Sequence, residues 1–216
     1  MFNLKEELKV KGINITDDMI NKFDQYFKML TEYNEHTNIT RITDKDDVYA
    51  LHFYDSLMTS LAFNDTNKKL LDIGAGAGFP SLPLKIVFDD LDVTMVDSVN
   101  KKVIFLDGVI NELKLNNIRA IHERIENLKE YNSYDYVVAR ALSSLKEIIK
   151  YSHKYIKDDG EIIALKGMKK SSEEIEEAKD VLKKYKLKVD SIIPYNVLDR
   201  NYCLIVIKRD IKWMKI

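Results

Sequence analysis

Residues 70–84 read Leu70-Leu71-Asp72-Ile73-Gly74-Ala75-Gly76-Ala77-Gly78-Phe79-Pro80-Ser81-Leu82-Pro83-Leu84. A short apolar run leads into three alternating glycines, and a mostly apolar segment follows. The run has the length and composition of a buried strand. Glycine lets the backbone turn sharply and approach a ligand without a Cβ in the way. The segment after it reads as a helix, provided that Pro83 falls within its first turn. A helix N-terminus there leaves N–H groups free. Strand, glycine turn and helix together suit a nucleotide bound at the carboxyl edge of an open parallel sheet. The spacing is Gly74-x-Gly76-x-Gly78, whereas a dinucleotide fingerprint is G-x-G-x-x-G; Phe79 occupies the place of its last glycine.

Downstream of this stretch the pattern predicts alternating strands and helices. DVTMVDS is a strand and NKKVIFLDGVINELKL a helix. NIRAIHERI gives a strand ending near His122, and YDYVVAR another near Ala139. SSLKEIIKYSHKYI is a helix opened by Ser143 or Ser144. EIIALKG is a strand, followed by the helix SSEEIEEAKDVLKKY with serine caps and an acidic first turn. KLKVDSIIPYN and NYCLIVIKR are two strands joined by a short turn. Alternation argues for a parallel sheet covered on both faces. The last two strands have no helix between them, so they pair antiparallel at one edge. The expected fold is α/β: a seven-stranded, mostly parallel, Rossmann-like sheet with an antiparallel end.

Upstream of the glycines the chain reads as helical. Ile20, Phe23, Phe27 and Leu30 form a stripe, with Thr16-Asp17 as N-cap and first-turn acid. A second helix runs from about Asp46 to Ala62. We expect residues 1–66 to be a helical extension packed on a core formed by residues 67–216, in one compact unit.

Composition narrows the function classes. The chain has 216 residues, 45% apolar and 32% charged, which is ordinary globular usage. A single Cys excludes a disulfide framework and a cysteine-rich zinc site. The four His have no metal-ligand spacing. No apolar run approaches the ~20 residues of a membrane span, and MFNLKEELKVKG lacks a signal-peptide core. These features predict a cytoplasmic protein without a membrane segment. Net charge is −1, yet residues 166–216 hold 13 basic and 8 acidic side chains, which suggests a basic rim.

Asp97 ends the second strand, about 20 residues past the glycines, where an acid accepts hydrogen bonds from ribose hydroxyls. Its competing role is a helix N-cap shared with Ser98; we favour the ribose. The glycine spacing and the antiparallel end point to S-adenosyl-L-methionine rather than NAD, and to the topology of class I methyltransferases. The chain is also too short after its fifth strand for the second mononucleotide-binding half of a dehydrogenase.

Several stretches in order, DIGAGAGFPSLPLKIV, DSVNKKVIFLDGVINELKLNNI, ERIENL, VVARALSSL and ALKG, resemble the bacterial 16S rRNA guanine-N7 methyltransferase family, also called glucose-inhibited division protein B. YNEHTNITRITDKDDVYALHFYDSL resembles the segment that precedes the glycine loop in that family. The resemblance spans roughly residues 26–208. Ser81 stands where many relatives carry Gly, and Asn38-Ile39-Thr40 where Asn-Leu-Thr is common. The resemblance implies an S-adenosyl-L-methionine site formed by Gly74, Gly76, Gly78, Phe79 and Asp97, with Ile125 and Glu126 flanking the adenine and Arg140 in the site. It implies a guanosine of the 530 loop (position 527 of the rRNA) as substrate. The partner is then 16S rRNA or the small ribosomal subunit, met by a monomer.

Guanine N7 carries a free lone pair, so no general base is needed. Positioning is the main requirement and can supply ~7–11 kcal/mol in favourable cases. N7 and O6 are the acceptors that Arg or Lys contacts on guanine. A cation cannot donate to N7 while N7 attacks, so Arg140 or Lys166 is expected to contact O6 or a flanking phosphate. A salt bridge to a site acid is the competing role for Arg140. Lys101, Lys102, Arg124, Lys166, Lys169, Lys170, Arg200, Lys208 and Arg209 are candidates for the phosphate-facing rim. His52, Asp55 and Ser56 are expected to be structural, His52 pairing with an acid and Ser56 capping locally. Tyr26, Tyr151 and Cys203 are expected in the core. Two other readings stay open here: a class I methyltransferase with another substrate, and a noncatalytic ribosome- or RNA-binding factor.

Overall fold

The computed structural model of the chain describes residues 2–210. The chain opens with helices α1 (Leu4–Val10) and α2 (Asp17–Thr37). As the sequence predicts, the side chain of Thr16 caps α2 by accepting from the Met19 N–H. A second helical stretch starts with α3 (Lys45–Val48) and widens into a π-helix over Tyr49–Tyr54. It returns to α4 (Asp55–Leu57) and ends as a 3₁₀ turn, Met58–Ala62. The predicted helix over 46–62 is therefore present but wound in three ways.

The remainder alternates: β1 (Lys69–Ile73), α5 (Ser81–Val87), β2 (Asp92–Asp97), α6 (Asn100–Glu112), β3 (Ile118–His122) and β4 (Tyr134–Arg140). Then follow α7 (Leu145–Ser152), β5 (Ile156–Gly167), α8 (Met168–Glu177), α9 (Lys179–Lys184), β6 (Leu187–Val197) and β7 (Arg200–Arg209). A 3₁₀ turn, Ile125–Asn127, lies between β3 and β4. Pro83 is the third residue of α5, inside the first turn as its missing N–H demands.

The seven strands lie in the order β3-β2-β1-β4-β5-β7-β6. The first five are parallel, and β7 runs antiparallel between β5 and β6. The chain switches direction between β1 and β4, the crevice where such sheets bind ligands. Pro194 is accommodated because β6 is an edge strand.

Two apolar layers cover the sheet. Strand residues alternate between them: Leu70, Val138, Ile163 and Leu204 face one side, and Leu71, Val137, Ile162 and Cys203 the other. The first layer contains Phe23, Tyr26, Leu30 and Phe53 from the N-terminal helices, with Leu82, Phe105 and Leu106. The second contains Leu145, Ile148, Ile149, Val181 and Leu182 from α7 and α9.

Three local expectations are corrected. α8 begins at Met168, with Gly167 as N-cap, so Ser171 is not a cap; it is buried inside the helix, its hydroxyl donating to the Met168 carbonyl at 2.8 Å. The helix also breaks at Ala178, giving α8 and α9. α6 begins at Asn100 with Val99 as its N-cap; of the competing cap role, Asp97 keeps only a bond from the Val99 N–H, and Ser98 makes none to the first turn among the described residues. Finally, β7 carries Lys208 and Arg209 to the far end of the sheet. Lys208 pairs there with Glu161 and Asp190, each at 3.0 Å, and Arg209 with Asp158 at 3.3 Å. The antiparallel direction of this strand removes both from a rim at the strands' carboxyl ends.

Candidate active site

A 430 Å³ cleft opens at the carboxyl ends of β1, β2 and β4. Gly74, Asp97, Val99, Ile125, Glu126, Arg140, Leu142 and Tyr151 are among its lining residues. Tyr151 thus borders the cleft, half-buried, rather than sitting in the core; Tyr26 and Cys203 are fully buried, as expected.

The glycine loop has a fixed shape. Gly74, Gly76 and Gly78 have φ of 69°, 61° and 96°, a region that side chains with a Cβ rarely adopt. The N–H groups of Gly74 and Ala75 both donate to the Val96 carbonyl, at 2.8 and 3.2 Å, locking the loop to β2. A Cβ on Gly74 would lie 2.5 Å from Leu142 Cδ1, and one on Gly78 2.3 Å from Leu82 Cδ1 and 2.7 Å from the Tyr26 hydroxyl. The Tyr26 hydroxyl also donates to the Ala77 carbonyl, so α2 grips the loop from behind. Gly76, Gly78 and Phe79 do not line the cleft; they shape the turn behind it.

Asp97 accepts the Gly76 N–H at 2.9 Å through Oδ2 and the Val99 N–H at 2.9 Å through Oδ1. Lys102 is 3.4 Å from Oδ2. An ionised carboxylate has about four lone-pair sites, so acceptor capacity remains for hydroxyls in the cleft. The 125–127 turn is held from below: the Tyr155 hydroxyl donates to the Ile125 carbonyl, and Lys154 Nζ to the Glu126 carbonyl at 3.0 Å.

Arg140 ends β4 beside the cleft. Its Nη1 donates to Asp55 Oδ2 at 2.8 Å and to the Leu51 carbonyl at 3.2 Å, and its Nη2 lies 2.8 Å from His52 Nδ1. The Tyr195 hydroxyl from β6 donates to Asp55 Oδ1 at 2.8 Å. His52 stacks on Phe79 with centroids 4.3 Å apart, and the Arg140 guanidinium carbon stands 5.1 Å from the same ring. His52 therefore meets a guanidinium rather than the expected acid, and burial together with Arg140 pushes it down to about 3. The Ser56 hydroxyl makes no local cap; it is buried without a hydrogen-bond partner among the described residues. Burial pushes the Asp55 carboxyl up, with Arg140 and Tyr195 pulling against it.

Lys166, on the adjacent strand end, does not border the cleft. Its Nζ lies 2.6 Å from Glu174 Oε2 and donates to the Ser143 carbonyl at 2.6 Å, tying the loop after β4 to α8. Asp72, two residues before Gly74, escaped the sequence reading. It is fully buried, accepts from the Ser81 hydroxyl at 2.6 Å through Oδ2, and leaves Oδ1 without a hydrogen bond among the described residues. Burial pushes its carboxyl up to about 7. Its place just ahead of the glycines was the available signal.

The cleft fits S-adenosylmethionine. Gly74 leaves the wall smooth, Asp97 keeps free acceptor capacity, and the 125–126 turn offers Ile125 and the exposed Glu126 beyond it. Among the described residues no group of three or more His, Cys, Asp or Glu side chains could hold a metal ion, and no helix is long and apolar enough to cross a membrane.

Comparison with solved structures supports the same architecture. M. jannaschii TYW2 in complex with AdoMet superposes with a TM-score of 0.61 at 18% identity, over 78% of this chain and 79% of that one. A SAM-dependent methyltransferase from Aquifex aeolicus also gives 0.61 at 18% identity, over 79% of this chain and 96% of that one. At such identities the likeness shows the fold, a Rossmann-like methyltransferase fold. Sequence relatives are nearer. Ribosomal RNA small subunit methyltransferase G of Streptococcus pneumoniae serotype 19F (strain G54) is 40% identical over 96% of this chain and 90% of the relative. The protein of that name from Staphylococcus aureus (strain JH9) is 45% identical over 82% of this chain and 75% of the relative. The family model for GidB, rRNA small subunit methyltransferase G, matches residues 19–202. With the fold, the glycine loop and these relatives in agreement, the chain belongs to the rRNA small subunit methyltransferase G family.

Proposed function

We propose that this protein transfers a methyl group from S-adenosyl-L-methionine to N7 of a guanine in 16S rRNA, within the 530 loop. The observation that carries the reading is one cleft at the β1/β4 switch point. It joins Gly74, Asp97, the 125–126 turn and Arg140, in a chain that belongs to this family.

When bound, the cofactor supplies an electrophilic methyl carbon on a sulfonium. Gly74, Gly76 and Gly78, with Phe79 behind them, give the loop the shape that admits it. Asp97 accepts hydrogen bonds from the ribose hydroxyls, and Ile125 and Glu126 flank the adenine. N7 attacks through its own lone pair, so the chain has no proton to remove before transfer. Arg140 donates to guanine O6 or to a flanking phosphate and leaves N7 free. Three guanidinium N–H donors are bonded within the protein, and a guanidinium has five, so two serve the substrate. Lys166 acts from one strand over, holding the Ser143 loop against α8 rather than reaching the guanine itself.

Residues 1–66 serve as an extension gripping the glycine loop through Tyr26, and residues 67–216 as the catalytic core, of which 211–216 lie outside the described residues. The protein works as a cytoplasmic monomer on 16S rRNA or the assembling small subunit. The test is methyl transfer in vitro from labelled cofactor to deproteinised 16S rRNA and to small subunits, with nucleoside analysis. The expected product is a single 7-methylguanosine in the 530 loop. Label in another nucleoside, or none while calorimetry shows the cofactor bound, overturns the proposal.

A further inference from the structure

The donors left on Arg140 are useful only if the guanidinium is held in one orientation, and the structure shows what holds it. Three elements converge on this side chain and its partners. Leu51, His52 and Asp55 come from the helix over 45–62, where it is wound as a π-helix and just beyond. Phe79 follows the glycine loop, and Tyr195 comes from β6. π-helical turns are rare and are found at functional sites. Here the wide turn presents the Leu51 carbonyl, the His52 ring and the Asp55 carboxylate to one guanidinium.

The chemistry of each contact fixes the state of His52. A guanidinium only donates, so Nδ1, 2.8 Å from Arg140 Nη2, must be the acceptor. The ring proton therefore sits on Nε2 and is donated to Thr40 Oγ1 at 2.9 Å. Thr40 Oγ1 is fixed in turn by the Ile42 N–H at 3.2 Å. In this tautomer the 3.2 Å contact between Nδ1 and the Leu51 carbonyl is not a hydrogen bond. Asp55 supplies the charge that balances Arg140, and His52 supplies direction, since its lone pair lies in the ring plane that stacks on Phe79.

We infer that His52 is a positioning residue: a neutral imidazole acceptor that, with its tautomer set by Thr40, holds the Arg140 guanidinium so that Nε–H and one Nη2–H stay free for a guanine or phosphate oxygen in the cleft. The inference rests on the reading that Arg140 contacts the RNA substrate.

The test compares wild type, Arg140→Ala, His52→Phe, His52→Asn and the Arg140→Ala/His52→Phe double variant in the 16S rRNA methylation assay. Cofactor affinity by calorimetry and melting temperature are followed in parallel. Phe keeps the stacking and loses the acceptor; Asn places an acceptor oxygen near the position of Nδ1. His52→Phe is expected to lower kcat on the order of 10²-fold, the cost of a misplaced group, with cofactor affinity unchanged. His52→Asn recovers most of the rate, and in the Arg140→Ala background His52→Phe costs nothing further. If His52→Phe fails to fold, Thr40→Val, which frees the tautomer, is expected to lower kcat in its place. Equal losses in the Phe and Asn variants, or an additive loss in the double variant, refute the inference while leaving Arg140 in the site. An unchanged rate in Arg140→Ala refutes the underlying reading instead.

Discussion

Asp72 and Ser81 form a buried pair beneath the glycine loop, 2.6 Å apart. The hydroxyl supplies the donor that one carboxyl oxygen needs away from water. Removing it by Ser81→Ala is expected to cost roughly 1–3 kcal/mol in urea unfolding. With Asp72 raised to about 7 in the folded protein, the folded state holds a proton that the unfolded chain releases near 3.8. Its contribution to stability is greatest below that lower value and declines as pH rises through about 7. Unfolding titrations of wild type should show this decline between pH 4 and 8, and Asp72→Asn should remove it; an unchanged slope in the variant would contradict the assignment. Residue by residue, the sequence exposes what is local. The glycines, Asp97 and Arg140 are read from their distance to a strand end. The partners of Arg140 are not, because His52 and Asp55 reach it only across 85–88 residues of chain, and Tyr195 reaches Asp55 across 140.

Among the elements, the glycine loop yields the sharpest ranking. Gly78→Ala would force a Cβ to 2.7 Å from the Tyr26 hydroxyl and 2.3 Å from Leu82, in addition to its strained φ. Gly74→Ala meets only the end of the Leu142 side chain, and Gly76→Ala meets nothing nearer than 3.9 Å. Melting temperatures should fall in the order Gly78, Gly74, Gly76, the last paying about 1 kcal/mol for the left-handed backbone alone. Tyr26→Phe, which releases the Ala77 carbonyl, should weaken cofactor affinity measured by calorimetry, while a net hydrogen-bond loss of about 1 kcal/mol appears in stability. The strands and most helices are legible because period-2 and period-3.6 patterns differ. The π-helix is not, since residues 48–58 are buried throughout and give no amphipathic stripe whose period can be measured. The start of α8 is misread because Ser171 and Ser172 carry a capping composition three residues inside the helix.

For the molecule as a whole, strand direction decides which cations lie at the carboxyl edge of the sheet. Lys169 and Lys170 are exposed in the first turn of α8, at the carboxyl edge, where positive charge opposes the helix dipole. Arg200 is exposed at the start of β7, on the same edge. Replacing Lys169 and Lys170 by Glu should weaken rRNA binding and reduce the salt dependence of affinity by about one unit of slope per lost phosphate contact. Lys208→Glu, on the far edge, should leave both unchanged; equal effects from the two sites would contradict this placement. Summed charge could not separate them, because Lys169 and Lys208 belong to the same basic third of the sequence and part only when β7 turns back along the sheet.

The central claim, methylation of one guanine at N7, is tested most directly by nucleoside mass spectrometry of 16S rRNA from cells with and without this protein. The account predicts the loss of a single 7-methylguanosine from the 530 loop, restored by the wild-type chain and not by a Gly74/Gly76 double variant. A 7-methylguanosine profile that is the same in both cells would contradict it.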